Sequence, residues 1–270
     1  MKKTKRLWIL IGIVVLFNLI MFLTRWGGEK VQLYVGDIIP SVCALISSVC
    51  LFITFRKFKE YDAAKIAWML IFIGILLDFI AETTYAVLEI GLSVDINEVF
   101  PTIADYIWCS AYVAQFAGLI VMYVGYKRSG FSMGNTKVYS ILAPSILIVL
   151  SVVIYFVLVP IIRDTETQTI EKVFYLFYPV GDLFIVIPAF ILMYITSLFG
   201  KGAISRPWKY LAIGFTFFTF ADLIYSYLSW EDNYQTGNII DIAWNAGYLL
   251  IGLSGLYQVE LIESIEGGAK

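Results

Sequence analysis

Apolar residues run in eight long segments, at about 7–24, 34–55, 66–90, 104–126, 138–161, 173–199, 208–229 and 238–258. Each is long enough to cross about 30 Å of hydrocarbon as a helix. The pattern predicts an all-α, polytopic membrane protein of eight transmembrane helices, a single integral membrane domain over residues 1–270. Loops of about ten to fifteen residues leave no room for a soluble domain. The first segment follows Lys2, Lys3, Lys5 and Arg6 but has no small-x-small cleavage pattern, so it reads as an uncleaved span.

Polar residues interrupt these segments at helical spacing. Asp78, Glu82, Tyr85 and Glu89 fall on one stripe of the third span. Asp105, Trp108, Tyr112 and Gln115 do so on the fourth, and Asp241, Trp244, Asn245 and Tyr248 on the eighth. Asp222 and Tyr225 form a pair on the seventh. A carboxylate at the centre of a membrane helix costs about 2.5–3.5 kcal/mol on insertion scales, and such residues face a bundle interior or a wet cavity.

The acids also recur. Val35-Gly36-Asp37 returns as Val180-Gly181-Asp182, 145 positions on. Trp68, Gly74, Glu82 and Tyr85 return as Trp208, Gly214, Asp222 and Tyr225 at 140, and Asp105, Trp108 and Tyr112 as Asp241, Trp244 and Tyr248 at 136. The order holds while the offset shrinks, as it would if the second half had shorter loops. The reading is two parallel four-helix repeats, about 7–126 and 138–258, related by a pseudo-axis along the membrane normal.

Glu82 and Asp222 lie well inside their spans and are the strongest candidates to line a ligand cavity, with Asp78 and Asp182 next and Tyr85 and Tyr225 beside them. Asp37, Asp105 and Asp241 have a competing reading as helix N-terminal caps. Trp108, Trp244, Tyr112 and Tyr248 could equally form an interfacial aromatic belt. Trp68 and Trp208 read as interface anchors, and Gly74 and Gly214 as points of close helix approach.

Composition agrees with the membrane reading: of 270 residues, 60% are hydrophobic and only 15% charged. The net charge of −2 hides a segregation. With the N-terminus inside, fifteen of the nineteen basic residues fall in cytoplasmic segments, including Arg56, Lys57, Lys59, Lys127, Arg128, Lys201, Arg206 and Lys270. Arg25, Lys30, Arg163 and Lys172 fall outside. The positive-inside rule then places both termini in the cytoplasm of a plasma-membrane protein, and the repeated acids in the outer half of the bilayer. No basic residue lies inside a span to pair with them. Histidine is absent, so the commonest metal ligand and neutral-pH acid–base group is missing. Cys43, Cys50 and Cys109 read as small core residues, and no metal site or nucleic-acid partner is expected.

Tyr178-Pro179-Val180-Gly181-Asp182-Leu183, Ala221-Asp222-Leu223-Ile224-Tyr225 and Asp241-Ile242-Ala243-Trp244-Asn245-Ala246-Gly247-Tyr248-Leu249-Leu250 resemble the multi-span membrane region that precedes cyclic-di-nucleotide enzymes or histidine kinases in prokaryotic signalling proteins. The resemblance covers about 170–258 and, through the repeat, much of 34–120. It implies a membrane sensor whose acidic-aromatic site these residues form. No output domain is expected after Glu260, so a separate signalling partner at the cytoplasmic face would carry the output. A secondary transporter of protons, cations or small amines is the alternative. An enzyme is not expected: Tyr34 and Pro179 stand where a Gly-x-Gly-Asp aspartyl protease needs its first glycine. The residues leave any cofactor unknown, and the ligand expected is a cation or amine.

Overall fold

The structure, a computed structural model, describes residues 2–199 and 202–268. Lys201 and Lys270, counted above among the inside basic residues, lie outside them. The described residues form helices and connecting turns, without strands. In chain order they are α1 (Lys2–Thr24), α2 (Gly28–Lys57), α3 (Ala63–Ala86, continued by a π-helical turn to Gly91), α4 (Ile96–Val99) and α5 (Ile103–Arg128). Then follow α6 (Thr136–Val153), a second π-helical turn, α7 (Val159–Arg163), α8 (Thr169–Ser197), α9 (Ser205–Trp230) and α10 (Asp241–Gly268).

Seven helical segments among the described residues are long and apolar enough to cross a membrane. The remaining long helix, α10, has 28 residues but carries Asn245, Ser254, Gln258 and Glu260. Its place explains its polarity. Residues 245–256 are buried without interruption, so protein rather than lipid surrounds them. One expectation is corrected at the start of the chain. Only residues 25–27 separate α1 from α2, where a loop of about ten was expected, because Arg25 and Gly27 take positive φ and turn the chain sharply.

Six helices close into a ring in the order α2, α3, α5, α8, α9, α10 and back to α2. Small residues set the spacing. A Cβ on Gly74 of α3 would sit 3.1 Å from the Ala111 carbonyl and 3.2 Å from the Gln115 amide of α5. A Cβ on Gly214 of α9 would sit 3.0 Å from the Gly247 carbonyl and 3.2 Å from the Ile251 amide of α10. Gly252 and Gly255 of α10 likewise admit Ser47 and Thr54 of α2.

Trp68 and Trp208 are corrected from interface anchors to core. Both are fully buried, and their rings pack against each other with centroids 5.2 Å apart. Around them Ile71, Ile75, Leu211, Phe215, Leu249 and Ile251 fill the interior of the ring.

The two helices outside the ring differ in their seating. α1 packs on α10, with the Thr4 hydroxyl bonded to Glu260 at 2.7 Å and the Trp8 indole to the Tyr257 hydroxyl at 3.1 Å. Only Val153 of α6 is buried, and that apolar helix touches the ring through few side chains, including Tyr139 against Tyr194 of α8. α1 and α6 therefore do not occupy equivalent places, as a pair of four-helix units would require.

Candidate functional site

The ring encloses a cavity of about 100 Å³ near the ends where α2, α5 and α10 begin and α3 and α9 finish. All six ring helices contribute: Asp37 from α2; Asp78, Glu82 and Tyr85 from α3; Asp105, Trp108 and Tyr112 from α5; Tyr178 from α8; Asp222 and Tyr225 from α9; Asp241, Trp244 and Tyr248 from α10. The stripe spacing of α3, α5 and α10 aims each set inward. No Lys or Arg lines the cavity.

Hydroxyl and indole groups meet these acids. Tyr112 donates to Asp222 at 2.7 Å, and Tyr248 donates to Glu82 at 2.7 Å. These bonds are reciprocal: a tyrosine of each half reaches the acid of the other. The Trp244 indole donates to Asp222 at 2.6 Å. Tyr178 donates to Asp105 at 2.5 Å, and Tyr234 to Asp241 at 3.0 Å. Asp78 forms the deep wall and accepts from the Gln115 amide at 2.6 Å. Trp108, Trp244, Tyr112 and Tyr248 therefore face the ring interior, and the belt reading is corrected for all four.

The capping reading divides. Asp105 accepts from the Thr102 backbone N–H at 2.7 Å, and Thr102 accepts from Ala104 N–H at 3.2 Å, a capping box. Asp241 accepts from Asn238 N–H at 3.1 Å, and Asn238 accepts from Ile240 N–H at 3.2 Å. The two arrangements correspond residue for residue at an offset of 136 (102 to 238, 104 to 240, 105 to 241). Asp105 and Asp241 thus cap the starts of their helices and line the cavity together. Asp37 does not cap: it lies nine positions into α2 and is 3% exposed, with one carboxyl oxygen unpartnered.

Asp182 is displaced from its expected place. It is buried behind the wall, with its Oδ1 3.1 Å from the Tyr112 hydroxyl. Tyr112 has one hydroxyl hydrogen, and the shorter contact gives it to Asp222. The Oδ2 of Asp182 has no hydrogen-bond partner among the described residues.

Several wall residues escaped the sequence reading of the site. Tyr178 stands one turn before Asp182, an i, i+4 signal that was available. Tyr234 and Thr236 come from the connection between α9 and α10, where no periodicity marks them. Thr236 donates to Glu89 at 2.8 Å, tying this connection to the π-helical turn that ends α3. Gly36 lies against it as well: a Cβ there would be 2.6 Å from the Gly237 amide. Arg25 reaches the Gly237 carbonyl at 3.5 Å.

Among the described residues, no group of three Asp, Glu, Cys or His side chains is arranged to hold a metal ion, and the three cysteines are free. Set beside known protein families, curated proteins and solved structures, the chain matches none of them.

Proposed function

We propose that the protein is a multi-pass plasma-membrane protein with both ends cytoplasmic, which binds a small cation or protonated amine in the ring cavity and acts as a sensor. One observation carries the reading: Asp37, Asp78, Glu82, Asp105, Asp222 and Asp241 share a cavity wall on which there is no basic side chain. Packing does not call for this. Placing even one such acid in a membrane helix costs about 2.5–3.5 kcal/mol, and ionisable residues within spans are rare and mark ligand or ion sites. The aromatic wall suits a cation as well, since Trp and Tyr faces attract ammonium groups by about 0.5–2 kcal/mol each. The cavity volume limits the occupant to a few heavy atoms. Protons compete with a cation for the same carboxylates, so binding weakens as pH falls.

The same reading includes an internal repeat, narrowed to three helices each: α2, α3 and α5 against α8, α9 and α10. Its support is the reciprocal Tyr112–Asp222 and Tyr248–Glu82 bonds, the paired glycine approaches and the contact between Trp68 and Trp208, all of which a pseudo-two-fold axis generates. Three is odd, so a further span is needed before the second triplet can run parallel to the first. α6 serves as that crossover, which accounts for its loose seating. Output passes to a separate partner at the cytoplasmic face, and no catalytic step is assigned to the site.

The second reading, a secondary transporter, is favoured by those reciprocal bonds, because two parallel halves joined across an axis can rock about a central site. The test is a thermal-shift screen of purified protein against ammonium, methylammonium and longer amines, with sodium and potassium as comparison and Glu82→Gln/Asp222→Asn as the blank. Stabilisation by an amine that the blank lacks supports the site; equal shifts in both proteins, or none, reject it. Saturable uptake into proteoliposomes would then favour transport, and binding without uptake a sensor.

A further inference from the structure

Two residues line the cavity from outside the six ring helices, Tyr234 and Thr236, both in the connection between α9 and α10. The two ends of their strip are fixed. The Asn233 N–H donates to the Leu228 carbonyl of α9 at 2.8 Å, and the Gly237 N–H donates to the Asp241 carboxyl at 2.9 Å. Gly237 also lies close on α2: its φ is +87°, and an added Cβ would meet the Gln32 carbonyl oxygen at 2.9 Å. Between these anchors, residues 234–236 make no backbone–backbone hydrogen bond among the described residues. Side chains hold the strip down instead. Tyr234 donates to Asp241 at 3.0 Å and sets its ring edgewise against Tyr225, while Thr236 donates to Glu89 at 2.8 Å. The first half of the chain has no such strip. At the offset of 136, Phe100 stands in the place of Thr236 (100 to 236), and its ring stacks on Tyr175 of α8 with centroids 4.7 Å apart. No residue of that connection lines the cavity.

We propose that residues 234–236 are the gate of the cavity, latched by the Thr236–Glu89 bond and opened by local release of this strip while Asn233 and Gly237 stay in place. A segment without backbone hydrogen bonds opens at a small fraction of the cost of global unfolding. The ring helices have no such freedom, since each keeps its own hydrogen-bond ladder and packs on two neighbours. Release of the strip draws Tyr234 away from Asp241 and Trp244 and leaves the ring itself closed. The gate rests on the ligand-binding reading above for what passes through it: a small cation reaches the carboxylates from the end where α2 and α10 begin.

The experiment places a reporter on the cavity wall by Pro40→Cys and treats the purified full-length protein with methanethiosulfonate ethylammonium, itself a small primary ammonium, following labelling at that residue by mass spectrometry. Thr236→Val keeps the shape of the side chain and removes its hydroxyl; it should speed labelling about threefold or more, as the loss of one hydrogen bond between membrane helices would. Adding Tyr234→Phe should speed it further. Glu98→Gln, on the matched connection of the first half, should leave the rate unchanged. Unchanged labelling in Thr236→Val and in the double variant overturns the gate, and so does equal speeding by Glu98→Gln, because the opening is then not local to this strip. Should Pro40→Cys fail to fold, Trp108→Cys carries the same comparison. Labelling requires no bound ligand, so failure of the gate leaves the cavity reading standing, whereas absence of methylammonium binding by the parent protein overturns that reading and with it the gate's part in ligand entry.

Discussion

Tyr112 of α5 gives its hydroxyl hydrogen to Asp222 of α9 at 2.7 Å, bridging two helices that are not neighbours in the ring. Tyr248 of α10 does the same for Glu82 of α3. Tyr112→Phe and Tyr248→Phe should each lower stability by roughly 0.6–1.7 kcal/mol, the range for hydrogen bonds between membrane helices. Because the two bonds join the same halves, the double variant should lose more than the sum of the single losses. Thermal midpoints of the four proteins in one detergent check this, and strict additivity would remove the coupling.

Trp68 and Trp208 close the interior at the opposite end from the acids. Each is fully buried, and the Trp68 indole N–H has no partner. Trp68→Ala should destabilise the protein by about 3–5 kcal/mol, as large-to-small changes of buried aromatics do. Trp68→Phe, which keeps a ring and removes only the unpartnered N–H, should cost much less. Equal losses in the two variants would argue that the indole N–H has a partner.

Gly74→Ala and Gly214→Ala should behave alike. Each added methyl meets a backbone carbonyl of the neighbouring helix at 3.0–3.1 Å, together with the side chain of Gln115 or Ile251. Overpacking of this kind costs about 1–3 kcal/mol. A variant at Gly12, where an added Cβ meets nothing within 4 Å, is the control. Tolerance at Gly74 with loss at Gly214 would count against equivalent roles for the two glycines.

Asp164 lies outside the membrane-spanning segments, in the turn between α7 and α8. The Thr167 hydroxyl, the Glu166 backbone N–H and the Trp230 indole hold its carboxyl well below the usual range. A group depressed in the folded state stabilises it above the unfolded value of about 3.9, and that contribution is lost as pH falls through the folded value. Protection against hydrogen exchange over residues 164–172, taken relative to the intrinsic rate at each pH, should therefore fall on strong acidification, and Asp164→Asn should be less protected at neutral pH as well. Unchanged exchange in the variant would contradict this role.

The fold was largely legible because apolar runs are long and unambiguous: all eight segments appear as helices. Helix order around the ring was not, since which helix meets which depends on contacts such as Gly74 with Ala111 and Gly252 with Ser47, and no periodicity encodes them. The inward turn of Tyr85, Trp108 and Tyr248 could be read from their shared stripes with acids. The donor roles of Tyr112 and Trp244 could not, because each reaches an acid on another helix. Trp68 and Trp208 misled because tryptophan near a span end usually marks the interface, whereas here each has the other to pack against. Thr102 and Asn238 share a capping role with different side chains, so identity matching passed over them.

The central claim is that the ring cavity takes a small protonated amine, and equilibrium dialysis of radiolabelled methylammonium against the purified full-length protein tests it most directly. The account predicts saturable binding of one cation per chain, displaced by unlabelled ammonium, weakened as pH falls, and absent from Glu82→Gln/Asp222→Asn. Binding that does not saturate, or that persists unchanged in the double variant, would contradict it.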